Sequence, residues 1–356
     1  MDRYLIEQKL KSAAAFLAIL ILLPYIISVF VNGADAAAGD GSASFYVRAE
    51  VPDTEEADGV REIGWTDYLA GVLAREMPAE FGEEAMKAQA VLIRTQIYRE
   101  LSGSEDKILR MEYMTAEEMK KQWGQEKAAE YYDRYIRAVE QTDDTVLMYG
   151  DGYAWTPFHQ SSCGMTRSAS EVMGTEEYPY IAVRECPEDK EADNEIQTFT
   201  FTFQEIQAAC RDFLVAAEDG EQAEKGYDFA DFEITAYDSA GYVSQLRIGD
   251  TFCTGDQFRD ALGLPSGAFS FSEMQKDGEA GEGMKITTTG NGHGLGMSLW
   301  TAEKMDEDGM GYEEILSFFF EGTELKQDIK ETELFFYPER MRNRELQYTP
   351  ASIHGC

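Results

Sequence analysis

One carboxylate in the sequence has a setting that suits proton transfer. Glu76 lies in the run REMPAEF (residues 75–81), where Pro78 interrupts a helical pattern, so that the turn can hold the side chain in place. Met77 and Phe81 flank it, and apolar surroundings raise the pKa of a carboxyl group. A raised pKa makes the group a usable proton donor near neutral pH. Glu76 is therefore the candidate general acid and base.

Two cations follow on the next predicted helix. Lys87 and Arg94 are seven positions apart, which puts both side chains on one face of that helix. They also supply the alternative interpretation of Glu76, because an ordinary surface carboxylate could simply pair with this cationic face.

Two of the three histidines stand in unusual runs. His159 lies in FHQSSCG and His293 in GNGHGLGMS. The hydroxyl groups that follow His159, on Ser161 and Ser162, suit hydrogen bonding to a sugar or a peptide. The third histidine, His354, lies in the tail and indicates no site.

The run around His293 is rich in glycine. Four glycines between positions 290 and 296 mean that backbone lines this loop, and the helix predicted to begin near Ser298 presents free N–H groups beside it. Such a loop lets a polymer approach closely. A phosphate cradle is disfavoured because no Lys-Ser or Lys-Thr follows, as a P-loop requires. The alternative is a tight turn that packs the last helices, with His293 as a structural hydrogen-bonding residue.

Cysteine chemistry suggests two further hypotheses for the same region. Cys163 could act as a nucleophile paired with His159, or zinc could be held by His159, Cys163 and Cys186. The chain has five cysteines, an odd number, and none of them has CxxC spacing. That spacing argues against a zinc ribbon, and no disulfide framework is evident.

Composition limits the classes of partner. The chain has 356 residues, of which 44% are apolar, so it can bury a sizeable core in one large or two ordinary domains. Asp and Glu outnumber Lys and Arg by 67 to 31, for a formal charge of −36. A polyanionic duplex would be repelled, so nucleic acid is not an expected partner.

An uncharged run near the N-terminus is long enough to enter a membrane. Lys9 and Lys11 precede residues 13–31, which at about 1.5 Å per residue just span the hydrocarbon layer. The positive flank predicts a cytoplasmic head and export of everything that follows, with a single span in the cell membrane. Residues 34–36 (ADA) also fit a signal-peptidase site, so cleavage is the alternative.

The rest of the chain divides into helical and strand patterns. Residues 1–38 are assigned to the anchor or signal segment and residues 39–59 to a tether. Helices and strands are then segregated rather than alternating, which indicates the α+β class. The predicted elements are a strand at 45–51; helices at 66–77, 83–101, 115–123 and 126–139; a hairpin at 145–149 and 153–158; a strand at 198–203 with a helix at 204–213; a hairpin at 232–237 and 242–248; and a capped helix at 254–262.

Together these runs resemble the stage II sporulation protein D family, which also includes the amidase enhancers. The resemblance covers roughly residues 60–325, as one catalytic domain, and leaves 326–356 as a C-terminal extension. The matching runs are YLAGVLAREMP (68–78), EAMKAQAV (84–91), RT (94–95), FH (158–159), YPYI (178–181), GHGLGMSLW (292–300) and YEEIL (312–316).

The resemblance implies a helical N-terminal part that carries the catalytic glutamate, with antiparallel strands and helices forming a glycan-binding groove. It implies a lytic transglycosylase that acts on peptidoglycan strands stripped of their stem peptides during forespore engulfment. The family's catalytic glutamate falls on Glu76 and a tyrosine of the site on Tyr180. The implied substrate-binding set is Lys87, Arg94, His159, Ser161, Ser162, Tyr180, His293 and Ser298.

The implied reaction needs one carboxylic acid and no cofactor. Glu76 would protonate the glycosidic oxygen as positive charge develops at C1 of muramic acid, then remove the proton from the C6 hydroxyl of the same sugar. Lys87 and Arg94 would hold the carboxylate or acetamido oxygens of that sugar. A 1,6-anhydro ring results, and no second carboxylate is needed because the nucleophile is part of the substrate.

The run after His159 departs from the family pattern. The family often has Ser-Ser-Gly-Gly where this chain has SCGM (162–165), and some clostridial relatives are associated with zinc in this region. The expected partners are glycan strands, a cell-wall amidase, other engulfment proteins and the membrane. Two alternative functions stay open: a non-catalytic module that enhances a separate amidase, and a thiol or zinc hydrolase centred on Cys163.

Overall fold

The computed structural model describes residues 46–50, 59–192, 195–214, 226–276 and 279–327. The predicted anchor or signal segment, most of the tether and nearly all of the C-terminal extension lie outside these residues. Within them, no helix is both long and apolar enough to cross a membrane.

The longest of the described helices lie in the first half of the chain. They are α1 (Trp65–Glu76), α2 (Glu83–Gly103), α3 (Ala116–Trp123), α4 (Gln125–Gln141), α5 (Ala169–Met173), α6 (Phe203–Ala209), α7 (Gly255–Leu262), α8 (Leu299–Glu307) and α9 (Tyr312–Phe319).

The described strands form small sheets of two or three members, paired β2-β1-β3, β14-β4-β5, β13-β6, β11-β12-β7 and β10-β9-β8. Most pairs are antiparallel, so the predicted α+β class is confirmed. The strands are β1 (Tyr46–Glu50), β2 (Val60–Gly64), β3 (Ile108–Leu109), β4 (Val146–Tyr149), β5 (Gly152–Tyr153), β6 (Phe158–His159), β7 (Ile196–Thr202), β8 (Phe232–Tyr237), β9 (Val243–Ile248), β10 (Thr251–Cys253), β11 (Phe269–Lys276), β12 (Glu279–Thr289), β13 (Met297–Ser298) and β14 (Glu324–Lys326).

Helix α1 follows the predicted periodicity closely. Its apolar residues at three- and four-residue spacing, including Leu69 and Leu73, are at most 1% exposed. The helix ends where Met77 turns extended, with φ −131°, one residue before Pro78. The helix begins at Trp65, one residue before its predicted start, and no side chain caps it.

Two hydrophobic cores organise these elements. The first holds α1, α2, α4 and the last two helices, together with the segments around both histidine runs. The second is built between Phe199 and Ile286, in the part of the chain that separates the His159 run from the His293 run. The predicted elements leave residues 264–289 unassigned, although β11 and β12 lie there and form most of the sheet that also contains β7.

Candidate functional site

Glu76 is the last residue of α1 and is half-buried. Burial raises the pKa of its carboxyl, the neighbouring guanidinium of Arg75 lowers it, and the carboxylate of Glu112 raises it. The net effect is a raised pKa, so the group keeps its proton to a higher pH than an ordinary glutamate. This is the environment that the sequence predicted for a general acid.

The turn after Glu76 is held by side chains of α4. The hydroxyl of Tyr135 donates to the carbonyl of Met77 at 2.7 Å. The guanidinium of Arg134 donates to the carbonyl of Phe81 at 2.7 Å and also to that of Ala79. These donors pair carbonyls left free where the helix stops. The backbone that carries Glu76 is therefore fixed by long-range contacts as well as by Pro78.

Helix α8 holds the other end of the same turn. Glu303 accepts from the backbone N–H of Gly82 at 2.6 Å. Asp306 accepts from the N–H groups of Glu84 and Ala85 at 2.9 and 3.1 Å. Carboxylates at a helix N-terminus are favourable because they meet unpaired N–H groups and the positive end of the helix dipole. Helix α8 thus caps α2, although the two are distant in sequence.

Gln160 joins Glu76 to the histidine runs. Its side-chain amide donates to the backbone carbonyl of Glu76 at 2.9 Å. The backbone carbonyl of Gln160 accepts from the backbone N–H of Trp300, in the first turn of α8, at 3.0 Å. Three runs that resemble the family therefore meet near Gln160, a lone glutamine that no pattern in the sequence distinguishes.

The two histidine runs lie side by side. Strand β6 pairs with β13 in parallel, with His159 opposite Ser298. Beyond the strands, Ser161 and Asn291 exchange backbone hydrogen bonds at 3.1 and 2.9 Å. The rings of His159 and His293 are close, with centroids 5.8 Å apart.

Glycine is needed in the His293 loop because other segments of the protein pack too closely against its backbone to leave room for a side chain. A Cβ at Gly296, where φ is +70°, would lie 1.9 Å from the carbonyl oxygen of Pro157, and one at Gly292 would lie 2.5 Å from the Cβ of His159. The prediction that these glycines let a polymer approach is replaced by the alternative, a tight turn packed on its own chain.

We expect Gly296→Ala to lower the free energy of unfolding by about 3 kcal/mol, since it combines left-handed strain with overpacking. Gly309→Ala is the matched control, because Gly309 also has positive φ, +85°, but meets no atom within 4 Å; its cost should be about 1 kcal/mol. Urea denaturation of both variants measures the difference. Equal losses would show that the close approach to Pro157 is energetically unimportant.

Leu295 sets the tautomers of both histidines. Its carbonyl accepts from Nδ1–H of His159 at 3.1 Å, and its N–H donates to Nδ1 of His293 at 3.0 Å. The proton of His293 is therefore on Nε2. In His159 the proton is on Nδ1, so Nε2 is unprotonated, and it is buried without a hydrogen-bond partner among the described residues. Burial lowers the pKa of His159 to about 4 and that of His293 to about 3, so both rings are neutral.

Asp189 connects two of the three serines predicted to bind substrate, Ser162 and Ser298. It accepts from the backbone N–H of Ser162 at 2.6 Å, from the hydroxyl of Ser298 at 2.7 Å and from that of Thr301 at 2.6 Å. Asp189, Ser162 and Ser298 are each 0% exposed. The expectation that these serines contact a glycan does not fit this geometry, because they serve a buried network that joins the two histidine runs.

Ser161 is also directed inward. Its hydroxyl donates to Glu195 at 3.0 Å, and both residues are buried. Burial raises the pKa of the Glu195 carboxyl to about 7. Neither Glu195 nor Asp189 stood out among the many acidic residues of the sequence, since only their long-range partners distinguish them.

Arg94 does not reach the surface. It is 1% exposed, and its guanidinium donates to the carbonyls of Thr145 and Val139 at 3.0 Å and to the hydroxyl of Thr142 at 3.1 Å. Burial lowers its pKa to about 10. The prediction that Arg94 holds a sugar is corrected: it fastens α2 to the end of α4 and to the segment that leads into β4.

Lys87 and Tyr180 are similarly engaged. The ammonium of Lys87 lies 2.7 Å from Glu84 and 3.4 Å from Glu83, and its side chain is 13% exposed. The hydroxyl of Tyr180 accepts from the N–H of Trp155 at 2.7 Å, and the residue is buried. The structure does not bring either side chain into contact with Glu76.

The thiol and zinc alternatives lack the geometry they need. The thiol of Cys163 donates to the carbonyl of Ala240 at 3.4 Å, and burial raises its pKa, so it is not an activated thiolate. Burial also raises the pKa of Cys186, to about 12. Among the described residues, no group of three or more His, Cys, Asp and Glu side chains is placed to hold a metal ion.

Comparison with known proteins identifies relatives over most of the chain. The family model described as "Stage II sporulation protein" matches residues 53–149. Stage II sporulation protein D of Bacillus subtilis (strain 168) is 31% identical over 279 residues, which cover 75% of this chain and 76% of that protein. The Bacillus amyloliquefaciens protein of the same name is 30% identical over the same shares. The amidase enhancer of Bacillus subtilis is 22% identical over 72% of this chain and 40% of its own length.

Proposed function

The chain belongs to the stage II sporulation protein D family, and from this we propose that it is a lytic transglycosylase that cleaves glycan strands lacking stem peptides. One observation carries the proposal: Glu76 is a half-buried carboxyl of raised pKa, at a helix end held by contacts from several elements. It lies within the segment that matches the family model.

A single group of this kind can carry both proton transfers. Protonated Glu76 donates to the glycosidic oxygen as the bond to C1 of muramic acid breaks. The C6 hydroxyl of the same sugar then attacks C1, and the Glu76 carboxylate takes its proton, which closes the 1,6-anhydro ring and restores the acid. Because the nucleophile is already attached, its effective concentration is high and no second carboxylate is required.

The His293 run offers a hydrogen-bond donor to a polar substrate. His293 carries a proton on Nε2, and no partner for this nitrogen is found in the described part of the chain. Its neutral ring can donate to a hydroxyl or an acetamido oxygen. Five of the predicted substrate-binding residues are buried and are therefore not proposed as substrate contacts: Ser161, Ser162, Tyr180, Arg94 and Ser298.

The setting of the reaction is part of the proposal. We place the catalytic domain outside the cytoplasm, attached through the uncharged run at residues 13–31, where it would act with a cell-wall amidase during engulfment. The similarity to an amidase enhancer supports a second candidate function, a non-catalytic module that stimulates the amidase.

Mass analysis of products from peptide-free glycan tests the proposal. We expect the purified chain to release fragments with anhydromuramic ends. Fragments with ordinary reducing ends would rule out the transglycosylase mechanism, and binding without any cleavage would favour the enhancer.

Gln160→Ala is expected to lower kcat about tenfold while leaving KM for glycan unchanged, since a small displacement of the acid impairs proton transfer more than binding. Gln160→Glu, which removes the donor at similar size, should behave the same way. The control is Gln96→Ala, because Gln96 donates only to Glu100 on an exposed helix surface. Steady-state kinetics with thermal melting checks this, and a KM effect alone would contradict a positioning role.

A further inference from the structure

An open pocket of about 860 Å³ is lined by Arg75, the residue that precedes Glu76 in α1. Arg75 and Glu112, the two charged residues that act on the Glu76 carboxyl, both line it. Arg110 and Lys121 line it as well, and we call it the Arg75 pocket. None of the residues that the sequence predicted to bind substrate takes part in it.

The Arg75 pocket is more cationic than the chain as a whole. Three cations and four carboxylates line it, whereas the chain has 31 cations and 67 carboxylates. Arg75 pairs with Glu112 at 2.9 Å, with side chains 52% and 71% exposed, and Arg110 pairs with Glu50 at 3.3 Å. Lys121 makes no ion pair with any residue that the structure describes.

One of the other pocket carboxylates is held by local hydrogen bonds. Glu118 is turned onto the backbone N–H and hydroxyl of Thr115, both at 2.8 Å, as part of a capping box. The exposed Arg75–Glu112 pair is worth at most about 1 kcal/mol. A ligand carboxylate can therefore replace Glu112 on Arg75, and a guanidinium can bind it through two parallel hydrogen bonds.

Peptide-free glycan supplies such a carboxylate. Each muramic acid carries a lactyl group whose carboxyl forms an amide with the stem peptide, and hydrolysis of that amide leaves a free carboxylate. The cations first predicted to meet it are engaged, because Lys87 is paired with Glu84 and Arg94 is buried. Arg75, the cation that acts on the Glu76 carboxyl, is exposed and lines the Arg75 pocket.

We propose that Arg75 and Lys121 bind the free lactyl carboxylate of muramic acid in the Arg75 pocket. The inference rests on the proposed function and gives it a recognition site: a strand that still carries its peptide offers a neutral amide and a bulky chain in place of the anion.

Binding of two matched ligands tests this independently of cleavage. The full chain with Glu76→Gln prevents turnover during isothermal titration calorimetry. The ligands are peptide-free glycan and the same glycan with its lactyl carboxylates converted to primary amides. We expect the amidated glycan to bind about fivefold more weakly, corresponding to one exposed ionic contact.

The same loss is expected for peptide-free glycan when Arg75→Gln or Lys121→Gln is added, and these variants should bind the amidated glycan unchanged. Lys120→Gln is the control, since Lys120 is an exposed lysine of the same helix outside the pocket lining. Equal affinity of the Glu76→Gln chain for the two ligands would overturn the inference. Cleavage by the wild type is measured separately, so that failure of the proposed function can be told apart from failure of carboxylate recognition.

Discussion

Glu76→Gln is expected to abolish the release of anhydromuramic products from peptide-free glycan. Glutamine has nearly the size of glutamate but cannot donate or accept the proton, and general acid–base catalysis typically contributes about 10²–10⁴-fold. The backbone carbonyl of residue 76 keeps its hydrogen bond from Gln160 in this variant. The loss should therefore come with an unchanged fold, measured by circular dichroism beside the product assay.

Glu80→Gln is the matched control. Glu80 lies in the same turn, is exposed, and accepts only from the hydroxyl of Tyr131 among its described contacts, at 2.8 Å. This variant should keep wild-type activity.

In the wild type, cleavage should fall as the pH rises through the pKa of Glu76, which burial places above the ordinary glutamate value. Activity retained by Glu76→Gln would refute the assignment of the acid.

Asp189→Ala is expected to lower the free energy of unfolding by about 3–5 kcal/mol, comparable to breaking a buried charge network. The substitution leaves three donors without an acceptor: the N–H of Ser162 and the hydroxyls of Ser298 and Thr301. All four residues are buried, so water cannot easily replace the carboxylate. Urea denaturation measures the change.

The neighbouring residue provides the control for Asp189. Glu188 is exposed, and Glu188→Ala should change the stability by less than about 0.5 kcal/mol. Asp189→Asn should lower the free energy of unfolding by an amount between those of Glu188→Ala and Asp189→Ala. Asparagine keeps one acceptor oxygen but adds an amide group that has no acceptor there. A loss below about 1 kcal/mol in Asp189→Ala would mean that the two histidine runs are held together chiefly by backbone pairing.

Local elements could be predicted well from the sequence. The helices α1, α2, α3, α4 and α7 begin and end within a few residues of their predicted bounds. Apolar spacing, Pro78 and the Thr115 and Thr254 capping boxes act over a few residues, so they can be read directly. The position of Glu76 at a helix end follows from the same local signals.

The direction in which polar side chains point could not be predicted in the same way. The runs that contain Ser162, Ser298 and Arg94 looked polar and suited to ligands, yet all three side chains are buried and satisfied internally. Whether a hydroxyl faces solvent or a buried carboxylate depends on which segments of the chain meet. Apolar and polar residues alternate at the start of Phe269–Lys276, a pattern that indicates a strand, although no strand is among the predicted elements there.

The sequence by itself determined the family, the α+β class and the helix end at which the proposed acid Glu76 lies, because motif order and helix periodicity are properties of neighbouring residues. Tertiary structure alone decided what surrounds Glu76. Gln160 reaches Glu76 across 84 positions, and Ser298 reaches Asp189 across 109. Contacts at such separations form only when distant segments of the chain fold together, so the support of Glu76 and the arrangement of the Arg75 pocket emerge only in the folded chain.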